Sequence, residues 1–162
     1  MKNQVFTSVL QIGIVVDDLD KYMKKFNDEY GIGPWGVHHF NKETCTQLTY
    51  RGREVDYSMK LALCDCHNVQ WELIEPVDDN NIYKEFLDER GVGIHHLAMD
   101  IESNHNVIEK MEERNVSEIQ TGNYHGIGYN YFDTTKDLGF ITEIYTSWSD
   151  IPEPVRTYPP SK

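Results

Sequence analysis

The sequence predicts an α+β fold of two βαβββ modules within a single domain spanning residues 1–162. Three observations carry this. Gln11–Asp18 returns in pattern as His96–Ser103: polar, large apolar, small, large apolar, then apolar or acidic residues leading to a helix cap. Ser58–Glu72 can be laid on Tyr129–Glu143 without a gap, at a constant offset of 71. At 162 residues the chain is about one ordinary domain long, enough to bury roughly two-thirds of its unfolded surface.

Module one covers about 8–76. Its opening strand runs into a helix that Asp18 caps through a side-chain oxygen, with Tyr22, Met23 and Phe26 on one face and Gly31 at a left-handed C-cap. The Gly31–Trp35 stretch reads as a turn, with Trp35 packing on the core. Alternatively, Trp35, His38 and Phe40 line the mouth of a pocket. The opening strands of the two modules are offset by 85 against 71 for the closing ones, so module one carries 14 extra residues. These fall between Phe40 and Tyr57, a candidate lid or substrate loop. A hairpin follows, turning over Cys64–Asn68. Residues 77–93 form a linker with a short helix over Ile82–Glu89, ended by Gly91 and Gly93. Module two, about 94–147, has Ser103 as its cap residue, Val107, Ile108 and Met111 as its apolar face, Asn115 at the helix end, and a hairpin turning over Thr135–Gly139. The Tyr124–Tyr129 loop is either a plain connection or a second pocket wall. Residues 148–162, with Pro152, Pro154, Pro159 and Pro160, suit an extended arm.

Composition excludes several classes. A chain with 39% hydrophobic and 26% charged residues reads as neither disordered nor membrane-embedded, and its apolar runs are strand-sized. Met1–Gln4 leads directly into a β-rich run with no signal region, so a cytoplasmic location is expected. A net charge of −12 with scattered basic residues disfavours nucleic acid. Cys45, Cys64 and Cys66 read as free thiols, since a lone Cys-x-Cys does not complete a zinc site.

Strand alternation then isolates four polar residues. Ile12, Ile14 and Val16 form the bulky face of the first strand, which leaves Gln11, Gly13 and Val15 on the other. Leu97, Met99 and Ile101 likewise face the helices, leaving His96 and Ala98 inside. Leu73 and Ile144 flank Glu72 and Glu143 in the closing strands. Each end of each module thus offers one candidate ligand, with Gly13 and Ala98 leaving room beside them. An amide oxygen, an imidazole and two carboxylates make an N/O donor set suited to one divalent ion such as Zn, Co, Ni or Mn.

These motifs (Gln11–Leu19, Glu72–Pro76, Gly93–Ala98 and Asp137–Glu143) resemble the vicinal oxygen chelate superfamily over roughly residues 8–147, within it the methylmalonyl-CoA epimerase-like and glyoxalase I-like proteins. The resemblance implies that the modules curl into an eight-stranded mixed sheet, a cup holding one divalent metal on Gln11, Glu72, His96 and Glu143. Epimerase relatives often have histidine where this chain has Gln11, whereas some glyoxalase I relatives share the Gln, Glu, His, Glu set. In the epimerases a non-ligand glutamate on the third strand of the first half supplies a further base. The corresponding segment here, Ser58–Ala62, has none, and Lys60 is the nearest ionisable residue. Glu143 or Glu72 would then shuttle the proton, as in glyoxalase I-like enzymes.

The resemblance implies first a metal-dependent isomerase or epimerase that abstracts a proton α to a carbonyl of a small substrate with vicinal oxygens. Next comes a lactoylglutathione lyase of the glyoxalase I type, then a non-catalytic small-molecule-binding protein of the resistance type. A dioxygenase ranks lower, because those sites present two histidines and one carboxylate. His95, next to His96, is expected to face the opposite side as a structural residue, with Glu75 and Asp100 as solvated or cap-related groups. A homodimer is expected, its Trp148–Lys162 arm covering the partner or an edge of its own module.

Overall fold

The computed structural model describes residues 5–160. The first half contains β1 (Phe6–Val15), α1 (Leu19–Tyr30), β2 (Trp35–Phe40), β3 (Cys45–Tyr50), β4 (Arg53–Glu54), β5 (Met59–Cys66) and β6 (Val69–Pro76). After α2 (Ile82–Arg90) come β7 (Gly93–Ile101), α3 (Asn104–Glu113), β8 (Glu118–Tyr124), β9 (Ile127–Phe132), α4 (Thr135–Leu138), β10 (Ile141–Ser147) and β11 (Arg156–Tyr158).

All the strands belong to one mixed sheet, ordered β11-β2-β5-β6-β1-β7-β10-β9-β8-β3-β4. Its centre repeats one pattern: β2-β5-β6-β1 is followed by β7-β10-β9-β8, with β1 and β7 antiparallel at the join. In each half the opening and closing strands are parallel neighbours, β1 with β6 and β7 with β10. The sheet curls until its two flanks meet through side chains. Phe40 of β2 stacks on Tyr124 of β8 with ring centres 3.9 Å apart, and the Tyr57 hydroxyl donates to the Thr121 carbonyl at 2.8 Å. No backbone ladder among the described residues joins β2 to β8, so the sheet is not closed.

Among the described residues the sheet has eleven strands, the eight of the two modules plus three more. Two of these come from the insertion after Phe40, expected as a lid or substrate loop. It forms the β3–β4 hairpin and docks on β8 of the other half. The ladder slips between Thr46 and Thr49, and Gln47 adopts φ 55°. That bulge lets Cys45 and Leu48, three residues apart, both turn into the core. A segment that buries these side chains and Tyr57 is part of the frame. The third extra strand, β11, pairs with Trp35–Val37 of β2, so the arm that follows the second half covers the outer edge of the first half of the same chain.

Local chemistry sets the helices. Asp18 Oδ1 accepts from the Lys21 amide at 2.9 Å, and Gly31 ends α1 at φ 70°. Ser103 is extended before α3 but makes no side-chain cap bond, and Asn115 takes φ 55° after it. Leu19 and Met23 of α1 pack against Ile14, Val16, Trp35 and Leu73, while Val107 and Met111 of α3 pack against Phe132 and Ile144. Ile108, expected on the buried face of α3, is instead 39% exposed. A separate cluster fills the concave side, with Val15, Leu61, Ile74, Tyr83 and Tyr131 among its members. Among the described residues no helix is long and apolar enough to cross a membrane.

Candidate metal centre

The four central strands, β6, β1, β7 and β10, each present one of the predicted donors toward the concave side. Register brings the donors together: Gly13 of β1 lies opposite both Glu72 and His96, Gln11 lies opposite Ala98, and Ala98 lies opposite Glu143. His96 Nε2 stands 3.3 Å from Glu72 Oε2 and 3.1 Å from Glu143 Oε2. All three residues are buried, and donor atoms of the three lie within 4.8 Å of one another. None of these three atoms has a well-directed hydrogen-bond partner among the described residues.

Buried polar atoms are nearly always paired, because leaving one without a partner costs about 1–3 kcal/mol. Three such atoms converging on one point make a donor cradle that a cation would satisfy. Glycine is essential to this geometry: a Cβ at Gly13 would sit 2.0 Å from His96 Cε1 and 2.3 Å from Nε2. The space that a small residue leaves on β1 is filled by the imidazole itself.

Electrostatics follow from burial and from the carboxylates. Burial alone would lower the His96 pKa, but Glu143 and Glu72 override it and raise the imidazole to about 9. Burial pushes the Glu72 carboxyl up, with Glu143 adding to the rise and His96 opposing it. The metal-free centre therefore holds a proton on His96 at neutral pH.

Gln11 lines the same cavity. Its amide Nε2 donates to Gln70 Oε1 at 2.7 Å, and its Oε1 accepts from the Tyr145 hydroxyl at 2.9 Å. An amide oxygen has two lone pairs, so Tyr145 occupies one and leaves the second available. Lys60, the nearest ionisable residue of the Ser58–Ala62 segment, lies outside the cavity lining and pairs with Glu75 at 2.8 Å. Glu75 also accepts from the Leu19 amide at the start of α1, and Asp100 is exposed.

His95 departs from strict alternation. The β1–β7 register passes from Gly13↔His96 to Ile14↔Ile94, so a bulge at His95 turns its side chain to the side that holds His96. His95 Nδ1 lies 2.9 Å from His96 Nδ1, and its ring packs between Tyr83 and Phe86 of α2. Burial, reinforced by the charge on His96, holds the His95 pKa well below its ordinary value. One imidazole donates to the other, which fixes the orientation of the His96 ring.

Beyond the donors lies a cavity of about 220 Å³. His38 and Phe40 line it, as the alternative reading of Trp35–Phe40 has it, and Tyr124 and Tyr129 make the loop that bears them a second wall. Trp35 packs on the core against α1, as the turn reading of Gly31–Trp35 has it. Sequence reasoning did not pick out Tyr145 and Gln70, although each sits two residues from a candidate ligand on the same strand face. It also gave Trp148 and Ile151 only to the arm, yet both line the cavity.

Comparison with known proteins agrees with this frame. Among solved structures the chain is similar to a methylmalonyl-CoA epimerase from Mycobacterium tuberculosis, with TM-score 0.65, 21% identity and coverage of 90% of this chain and 91% of that one. A hypothetical protein from Bacillus halodurans gives 0.66 at 19%, covering 90% and 98%. A Streptomyces coelicolor methylmalonyl-CoA epimerase solved with 2-nitronate-propionyl-CoA gives 0.62 at 19%, covering 89% and 99%. No curated protein sequence matches. The family model described as the Glyoxalase/Bleomycin resistance protein/Dioxygenase superfamily matches residues 10–132, and the chain belongs to that superfamily.

Proposed function

We propose that the protein is a metal-dependent isomerase or epimerase that removes and returns a proton α to a carbonyl, as a methylmalonyl-CoA epimerase does. The observation that carries this reading is the convergence of Glu72 Oε2, His96 Nε2 and Glu143 Oε2, each buried and without another partner among the described residues. These residues and the free lone pair of Gln11 would hold one divalent ion, of zinc, cobalt, nickel or manganese type. When bound, such an ion supplies Lewis acidity toward a carbonyl oxygen, which acidifies the neighbouring C–H.

The remaining steps belong to the chain. Two carboxylates balance the charge of a divalent ion, so the filled site is close to neutral. Glu143, or Glu72 in its place, accepts the α-proton and returns it to the same or the adjacent carbon. Tyr145 holds Gln11 from the other side, and the His95–His96 contact keeps the imidazole aligned. Tyr129, Tyr131 and Tyr145 line the cavity beside the two carboxylates. A cytoplasmic homodimer completes the reading.

A second reading, a lactoylglutathione lyase of the glyoxalase I type, is favoured by the Gln, Glu, His, Glu donor set itself. Incubation in deuterium oxide separates the possibilities. Exchange of a substrate's α-hydrogen, lost in Glu143→Gln, supports the isomerase. Turnover of a hemithioacetal to its thioester supports the lyase. Binding with neither supports the non-catalytic, resistance-type protein.

A further inference from the structure

The cavity in front of the donor cluster has a chemical character that the cluster does not dictate. Among the described residues no lysine or arginine lines it. Its polar lining consists of Gln11, Gln70, His38, Glu72 and Glu143, and burial lowers the pKa of His38, so that imidazole stays neutral near pH 7. The rest of the wall is apolar or aromatic. Two aromatic pairs stand out: Phe40 stacked on Tyr124, 3.9 Å apart at 15°, and Tyr145 against Trp148, 4.6 Å apart at 39°. Trp148 lies in the arm and is 65% exposed, so most of its ring surface lies outside the core. The whole chain, at −12, repels polyanions as well.

From this we infer that the substrate is an uncharged aryl α-hydroxy carbonyl compound: a flat aromatic body against the Trp148 and Phe40 pairs, with two adjacent oxygens toward the donor cluster. A carboxylate or phosphate against this wall would meet no lysine or arginine and would face the carboxylates of Glu72 and Glu143, and burying an unpaired charge is costly. An aromatic ring gains from stacking on these pairs and from leaving water. The chemistry needs no further reactant. The α C–H bond breaks, its proton passes to a carboxylate of the cluster, and the electron pair moves toward the carbonyl oxygen to give an enediolate. Return of the proton to the same carbon restores the substrate, and its return to the adjacent carbon, with the hydroxyl proton passing to the former carbonyl oxygen, gives the isomeric neutral hydroxy carbonyl. The inference rests on the proposed isomerase reading for that step alone; the binding preference comes from the wall.

Calorimetry with three probes tests it, on protein loaded with zinc and on protein stripped with chelator: 2-hydroxyacetophenone, its anionic aryl counterpart mandelate, and the neutral non-aryl hydroxyacetone. We expect 2-hydroxyacetophenone to bind at least tenfold more tightly than either of the others in both forms. Trp148→Ala should remove most of that advantage while zinc content stays at the wild-type level. Equal or tighter binding of mandelate, no binding of any probe, or an unchanged preference in Trp148→Ala overturns the inference. Deuterium exchange into bound 2-hydroxyacetophenone is scored separately. Preference without exchange contradicts the isomerase and leaves the substrate class standing, and exchange without preference does the reverse.

Discussion

The two halves of the molecule share a strand order and differ in what they put at equivalent places. Their closing strands deliver the same group, Glu72 and Glu143, each flanked by a residue buried toward a helix. Their opening strands do not. β1 supplies Gln11 and then Gly13, whereas β7 supplies His96 and then Ala98. The repeat fixes where side chains converge, and the departures from it decide what the site can do. The imidazole of β7 occupies the volume that β1 leaves empty at Gly13.

The comparison can be broken first at the paired carboxylates. If Glu143 is the proton carrier, Glu143→Gln lowers α-proton exchange by about 10²–10⁴-fold, the usual worth of a positioned acid–base group, and Glu72→Gln lowers it less. Equal losses would make the carboxylates interchangeable, and full turnover in Glu143→Gln would move the base elsewhere. The opening strands come next. Gly13→Ala should cost about 1–3 kcal/mol in denaturant unfolding through overpacking and should displace His96, with loss of metal. Ala98→Gly, the counterpart on β7, should cost only about 0.5–1 kcal/mol from backbone freedom and keep the metal. Similar metal retention in both variants would remove the asymmetry argued from Gly13.

A smaller effect concerns protons. In metal-free protein the His96 pKa is raised to about 9 from an ordinary 6.5, and that of Glu72 is also raised. A group whose pKa is raised by folding stabilises the fold while protonated, fully below its unfolded value, and that contribution fades as pH climbs through the folded one. Metal-free protein should therefore lose stability between about pH 6.5 and 9, while apparent metal affinity rises over the same range because His96 must shed its proton. Titration calorimetry in buffers of different ionisation enthalpy should show proton release on metal binding at pH 7. An affinity that is flat in pH would contradict this.

Much of this architecture was legible in the sequence because strand alternation and the repeat are properties of local pattern. Asp18 and Gly31 bound α1 as their chemistry requires, and the alternation in β1, β6 and β10 separates helix-facing from cup-facing residues correctly. His95 was misjudged because a bulge breaks the period of two, and neither His95 nor Ile94 carries a mark of it. The Phe40–Tyr57 insertion was expected as a lid because its partner, β8, belongs to the other half, and a docking across some 70 residues of chain leaves no local signature. The aromatic wall was only partly seen for the same reason: Phe40 and Tyr124 meet only once the sheet has curled.

The smallest expected effect is at the arm, the element with no counterpart in the first half. Truncation after Thr146 removes β11 from the edge of β2 and Trp148 from the cavity, so it should lower the melting temperature by a few degrees and leave metal binding intact. Sedimentation of the full-length chain at micromolar concentration should show a dimer, and a monomer would refute the proposed assembly.

The proposed chemistry turns on whether the Glu72, His96 and Glu143 cluster holds a metal. The most direct test is elemental analysis of protein purified without chelator, wild type beside His96→Ala. The account predicts about one equivalent of a divalent transition metal per wild-type chain and almost none in the folded variant. Near-stoichiometric metal retained in His96→Ala, or a wild type that stays metal-free after incubation with zinc, cobalt, nickel and manganese, would contradict it.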